Sequence, residues 1–135
     1  IWSRRCRRGL YTDFAHIEEE YLATIDSLNW PDGIALPDKL EDEDTGASFQ
    51  VGYGETRASY LWEYSWMKEW LDTYNTDPER AEKALEELEK AFDMPYMGID
   101  RCDDATRNYL RENIDKAKLG DPSGFTESIR ANYAN

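Results

Sequence analysis

The chain has 135 residues, of which 13% are aromatic, and its net charge is −13. A chain of this length fits one domain that buries roughly two thirds of the surface exposed on unfolding, so folding requires neither a metal nor a disulfide. The aromatic content argues against a disordered acidic tail. The excess of carboxylates argues against nucleic acid as a partner, because binding to phosphates depends on Lys and Arg, and it favours a protein with a basic surface.

Residues 1–10 form a basic arm ahead of an acidic domain, residues 11–135. Beyond the four arginines of the arm, 12 basic side chains are outnumbered by 29 acidic ones, a net charge of −17. An apolar pair such as Ile1 and Trp2, followed by arginines, is typical of the residues just after a transmembrane helix. We therefore expect an upstream apolar segment that tethers the domain to a membrane, on a side that the arm does not determine. A soluble cytoplasmic protein with a plain basic arm is the alternative.

Two cysteines, Cys6 and Cys102, are too few for a disulfide framework, and their spacing matches no metal motif. Two unpaired thiols and a single bridge between them both fit the count.

The first predicted helix begins after Thr12 or Asp13, either of which can act as its N-cap. One face is apolar and the opposite face carries Glu18, Glu19 and Glu20. The apolar face consists of Phe14, Ile17, Tyr21, Ile25 and Leu28. The helix is expected to end near Asn29, because a residue before proline disfavours helical geometry.

A long loop follows from Trp30 to Gly54, without helical periodicity and with at most a short strand near its end. Loops longer than about 12 to 15 residues are uncommon and tend to be functional or mobile. An acidic run lies at its centre, but the positions of glycine and glutamate do not match an EF-hand, which favours a solvated acidic loop. The residues that we expect to contact a basic partner are Asp38, Glu41, Asp42, Glu43, Asp44, Glu18 and Glu19.

The next segment, Arg57 to Asn75, contains three of the five tryptophans and predicts a helix at the centre of the core. Two neighbouring stripes of large side chains cover more than half of its circumference, which is typical of a helix surrounded by protein. The stripes are Tyr60, Tyr64, Met67, Leu71 and Tyr74, and Trp62, Trp66 and Trp70. An aromatic cradle for a ligand or a partner helix is the functional alternative to a packed core.

Three further helices are predicted towards the C-terminus. Thr76 with Glu79 fits a capping box, and Asp77 before Pro78 fits an N-cap followed by proline in the first turn. This helix has an inner face of Ala81, Ala84, Leu85, Leu88, Ala91 and Phe92, and an outer face of Glu82, Lys83, Glu86, Glu87, Glu89 and Lys90. The next helix is capped by Asp103 or Asp104 and runs to Leu119, with Gly120 after its end. A last short helix begins after Asp121 and Pro122.

Patterns for metal or catalytic chemistry are weak. His16 and Glu19 reverse the order of the Glu-x-x-His motif of di-iron bundles, and a second such motif is absent from the sequence. A single His must serve any Ser or Cys nucleophile, and no G-x-S-x-G motif is present. Gly52 and Gly54 ahead of a helix could offer backbone N–H groups to an anion, but they fit an ordinary turn equally well. We expect no metal, no cofactor and no catalytic residues.

These observations predict an all-α, single-domain bundle of four main helices plus a short C-terminal helix, with a long irregular loop between helices one and two. The predicted function is a non-catalytic protein-protein interaction module that acts as an accessory or adaptor subunit. A metal-binding or enzymatic helical bundle that uses acidic residues is the alternative.

Overall fold

Helices carry most of the secondary structure in residues 11–41 and 43–133, which are the residues that the computed structural model describes. Their bounds are α1 Phe14–Ser27, α2 Tyr53–Thr73, α3 Pro78–Glu89, α4 Asp104–Lys118 and α5 Ser123–Asn132. Two short 3-10 helices, Lys90–Asp93 and Pro95–Met97, follow α3. The strands β1 Tyr11–Thr12 and β2 Phe49–Gln50 pair in antiparallel register, with Tyr11 opposite Gln50. The predicted all-α fold class, with four main helices, a short C-terminal helix and a long loop after the first helix, is confirmed.

The chain forms two compact units. The first contains the described part of residues 11–28 and 35–61, and the second contains residues 29–34 and 62–133. The long loop is therefore divided, since its first residues, 29–34, pack with the second unit.

In the first unit, α1 begins after Asp13, whose Oδ1 accepts a hydrogen bond from the backbone N–H of His16 at 3.0 Å. Ile17, Tyr21 and Ile25 of the predicted apolar face are buried, whereas Phe14 and Leu28 at its ends are half-buried. Two residues from outside α1 complete the buried apolar set of this unit, Leu40 of the loop and Ala58 of α2.

In the second unit, the tryptophan stripe of α2 forms much of the core. Trp62, Trp66 and Trp70 are at most 3% exposed, which confirms that this stripe is buried. The neighbouring predicted stripe is buried only at Met67, and its tyrosines remain half-buried. Tyrosine is suited to such rim positions, because its ring packs against the protein while its hydroxyl reaches polar partners. The other buried apolar residues are Ala81, Ala84, Leu88, Ala91, Tyr96, Met97, Leu110, Ile114, Ala117 and Phe125.

The structure shows which of the candidate N-cap residues cap their helices. Asp77 caps α3 by accepting a hydrogen bond from the N–H of Arg80, and Asp103 caps α4 in the same way through Thr106. Gly120 has a φ of +82° just after α4, as expected for a residue that ends a helix in the left-handed conformation.

The prediction for Glu87 is wrong. It was assigned to the outer face of α3, but it is 1% exposed. Lys83 and Lys90 each donate a hydrogen bond to its Oε2 at 2.9 Å, so the two cations neutralise a buried carboxylate. Burial raises the pKa of Glu87, but the hydrogen bonds from Lys90 and Lys83 outweigh this and hold the pKa below its usual value.

The basic arm, residues 1–10, and with it Cys6, lies outside the described residues. The predictions of a membrane tether and of the pairing of the cysteines therefore stay predictions. Within the described part of the chain, no helix combines the length and the apolar character needed to cross a membrane.

Candidate functional site

The candidate site is the acidic part of the long loop, residues 35–52, which we call the acidic loop. Glutamates hold the loop at three places. The first is Glu18 of α1, whose Oε2 accepts a hydrogen bond from the N–H of Leu40 at 3.1 Å. The Leu40 side chain is itself 4% exposed, so a polar and an apolar contact fix the same residue of the loop.

The second glutamate, Glu20, fixes the end of the loop and the start of α2. It accepts hydrogen bonds from the N–H groups of Gly52 at 3.0 Å and Gly54 at 3.2 Å, and it lies 3.2 Å from Nε2 of His16. A carboxylate at this position satisfies N–H groups that lack partners within the helix, and the helix dipole favours its charge. A side chain at position 54 would collide with the carbonyl oxygen of Ile17, so only glycine permits this close approach of α1 and α2.

The third glutamate, Glu43, lies within the loop and binds back to α2. Its Oε2 forms an ion pair with Arg57, and it accepts a hydrogen bond from the hydroxyl of Tyr53 at 2.9 Å. The Glu43 side chain is 13% exposed. The middle of the acidic loop is therefore attached to the helix that follows it.

The remaining carboxylates of the predicted site are exposed. Glu19 and Asp38 form no ion pair with a residue that the structure describes. Glu41 lies 3.5 Å from Lys39, in a pair whose side chains are about two-thirds exposed and which therefore contributes little to stability. Asp44 accepts a hydrogen bond from the N–H of Gly46 at 2.9 Å and so closes a turn at the tip of the loop. Asp42 lies outside the described residues.

Glu18 and Glu43, two of the residues predicted to contact a partner, are both engaged in holding the loop. The residue type alone does not show whether a carboxylate contacts other groups of the same chain or is exposed. The structure therefore divides the acidic residues into three anchoring glutamates, Glu18, Glu20 and Glu43, and four outer carboxylates, Glu19, Asp38, Glu41 and Asp44.

A further carboxyl group, that of Glu63 in the second unit, is buried, which the sequence did not predict. It is 6% exposed and accepts hydrogen bonds from the hydroxyls of Tyr96 at 2.6 Å and Tyr133 at 3.4 Å. Burial raises the pKa of Glu63 to about 7, and the hydrogen bonds from Tyr96 and Tyr133 limit the rise. The sequence feature that could have indicated its burial is its position directly after Trp62, on a helix that is apolar over most of its circumference.

A carboxyl group that titrates near neutrality is typical of catalytic acids and bases. Both oxygens of Glu63 are bonded to tyrosine hydroxyls inside the second unit, however, and this arrangement makes it part of the core. We therefore assign Glu63 a role in stability.

Within residues 11–41 and 43–133, no three His, Cys, Asp or Glu side chains come together in a way that could hold a metal ion. His16 pairs with Glu20, whereas the sequence pattern had paired it with Glu19.

Comparison with protein-family models, with curated proteins and with solved structures found no match in any of the three.

Proposed function

We propose that the chain is a non-catalytic interaction module, an accessory or adaptor subunit, whose acidic loop binds a basic surface on a protein partner. The observation that carries this proposal is the division of the carboxylates. The anchoring glutamates hold the loop, and the outer carboxylates remain exposed, with Asp38, Glu41 and Asp44 on the loop and Glu19 on α1.

An anchored loop favours binding because its conformation is already fixed. A loop that becomes ordered only on binding loses conformational freedom at that moment, and this cost reduces the affinity. The hydrogen bonds at Leu40 and Gly52 and the ion pair at Glu43 order the acidic loop before any partner arrives.

The charge of the domain also favours binding to a basic partner. A net charge of −17 beyond the basic arm attracts basic partners over a distance and repels acidic ones, which raises the association rate and narrows the choice of partner. Because charges in water are screened beyond roughly 8 Å at physiological ionic strength, association should weaken as salt rises.

The test is a titration with a fluorescent nonalysine peptide. The variant Asp38→Asn, Glu41→Gln, Asp44→Asn removes three outer carboxylates and leaves the anchoring glutamates in place. Three exposed charge contacts of about 0.5 kcal/mol each predict a loss of affinity of about ten-fold in 50 mM salt, and a smaller loss in 300 mM salt.

The matched control is Glu82→Gln, Glu86→Gln, Asp93→Asn, which removes three charges from exposed positions outside the acidic loop. It should change the affinity by less than about three-fold, since it alters only the long-range field. Equal weakening in both variants would show that the peptide responds to net charge and not to the loop. Stoichiometric metal in the purified protein would favour the metal-binding alternative.

A further inference from the structure

A cavity of about 280 Å³ lies within the second unit, bordered by residues 30–32 and by parts of α2 and α3. We call it the Trp30 groove. Three of its lining residues are apolar, Trp30, Pro31 and Trp66. Trp66 is 3% exposed, and its Nε1 donates a hydrogen bond to the carbonyl of Asn29 at 3.0 Å, which fixes the indole beside the segment that carries Trp30.

The basic side chains that line the groove are already neutralised. Arg80 donates from Nε and Nη2 to the two carboxylate oxygens of Glu69, both at 2.8 Å. Lys83 donates to the buried carboxylate of Glu87 at 2.9 Å. An anion that entered the groove would therefore have to displace a carboxylate from one of these two cations.

Two carboxylates of the groove, Asp32 and Glu79, are exposed and form no ion pair with a described residue. The hydrogen bond with Glu69 raises the pKa of Arg80, and the charges of Asp77 and Asp32 add to this effect. The groove thus has walls of tryptophan and proline, together with two carboxylates that form no ion pair with a described residue.

We infer that the Trp30 groove receives one arginine side chain of the basic partner, an inference that rests on the proposed function. Arginine has an apolar stem and a planar cation that stacks on tryptophan and pairs with carboxylates, which are the two properties of the groove. The volume of about 280 Å³ is below the roughly 300 to 1,000 Å³ of pockets for drug-sized ligands and fits a single side chain.

The test uses Nα-acetyl-arginine amide as the probe and follows the indole N–H signals of the tryptophans by NMR. The signals of Trp30 and Trp66 should shift until they saturate, while the buried Trp62 serves as an internal reference. Nα-acetyl-citrulline amide has nearly the same shape without the charge, and it should bind at least about five-fold more weakly, as expected when a cation–π contact and ion pairs are lost.

The variant Asp32→Asn, Glu79→Gln should weaken binding of the arginine probe at least about three-fold, because it removes the groove's two carboxylates that lack an ion pair. The control Glu82→Gln, Glu86→Gln removes the same charge from α3 outside the groove, and it should leave binding within about two-fold of wild type. Equal shifts with the citrulline probe, or equal effects of the two variants, would overturn the inference. Neither result bears on the acidic loop, because the nonalysine titration tests the proposed function separately.

Discussion

The buried residue Glu63 makes the stability of the protein depend on pH. Its pKa is about 7 in the folded protein against an ordinary value of 4.5. Between these two values the folded chain keeps a proton that the unfolded chain has lost. The contribution of Glu63 to stability is therefore fully present below about pH 4.5 and is lost as the pH rises through about 7.

Replacing Glu63 by Gln should remove this dependence, because Gln resembles the protonated carboxyl and does not titrate. Between pH 5 and pH 8 the free energy of unfolding of the wild type should fall by roughly 2 to 3 kcal/mol relative to that of Glu63→Gln. Urea unfolding at a series of pH values measures this difference, with Glu82→Gln as an exposed control that should follow the wild type. Parallel curves for Glu63→Gln and the wild type would contradict the assignment of the shifted titration to Glu63.

Glu63 and Glu87 also show what the sequence could not reveal about single residues. Both are charged, and assigning helix faces by residue type places such residues outside. Glu63 is buried because tyrosine hydroxyls reach it, and Glu87 because Lys83 and Lys90 do. These contacts depend on distances in the folded chain, whereas the caps Asp13, Asp77 and Asp103 depend on neighbours in the sequence and were among the predicted alternatives.

At the scale of elements, α2 begins earlier than its periodicity indicated. It starts at Tyr53, four residues before the predicted Arg57. The first turn is stabilised from outside the helix by Glu20, which accepts hydrogen bonds from Gly52 and Gly54. Gly52 has a φ of +99°, a conformation that favours glycine, and this allows the chain to turn directly into the helix. A local pattern contains no information about a carboxylate that accepts a hydrogen bond from a residue 32 positions away.

The tryptophan stripe of α2 should account for a large share of the stability of the second unit. Trp66 and Trp70 are each 3% exposed, so Trp66→Ala or Trp70→Ala should lower the free energy of unfolding by about 3 to 5 kcal/mol. Leu119→Ala is the control, because Leu119 is 87% exposed, and it should change stability by less than about 0.5 kcal/mol. Chemical denaturation measures all three variants. Losses below about 1 kcal/mol for both tryptophans would contradict a central position for this stripe.

For the whole molecule, the fold class and the number of helices were predictable, because helix faces and caps depend on residues that are three or four positions apart in the sequence. The acidic loop was predictable as a segment and as a site of exposed charge. Its anchoring was not predictable, since the hydrogen bonds from Leu40 to Glu18 and from Gly52 to Glu20 join positions 22 and 32 residues apart. The Trp30 groove was not predictable for the same reason, as it combines residues 30–32 with residues of α2 and α3.

The proposal for the acidic loop is that its outer carboxylates, Asp38, Glu41 and Asp44, contact basic side chains of a partner. Carbodiimide crosslinking tests it directly, because it joins carboxylates only to amines that touch them. The protein is purified from its source cells at low salt, crosslinked, digested and analysed by mass spectrometry. We expect a stoichiometric protein partner whose lysines are joined to Asp38, Glu41 or Asp44. Crosslinks confined to exposed carboxylates elsewhere, such as Glu82 and Glu86, or a protein isolated with bound metal and no partner, would contradict it.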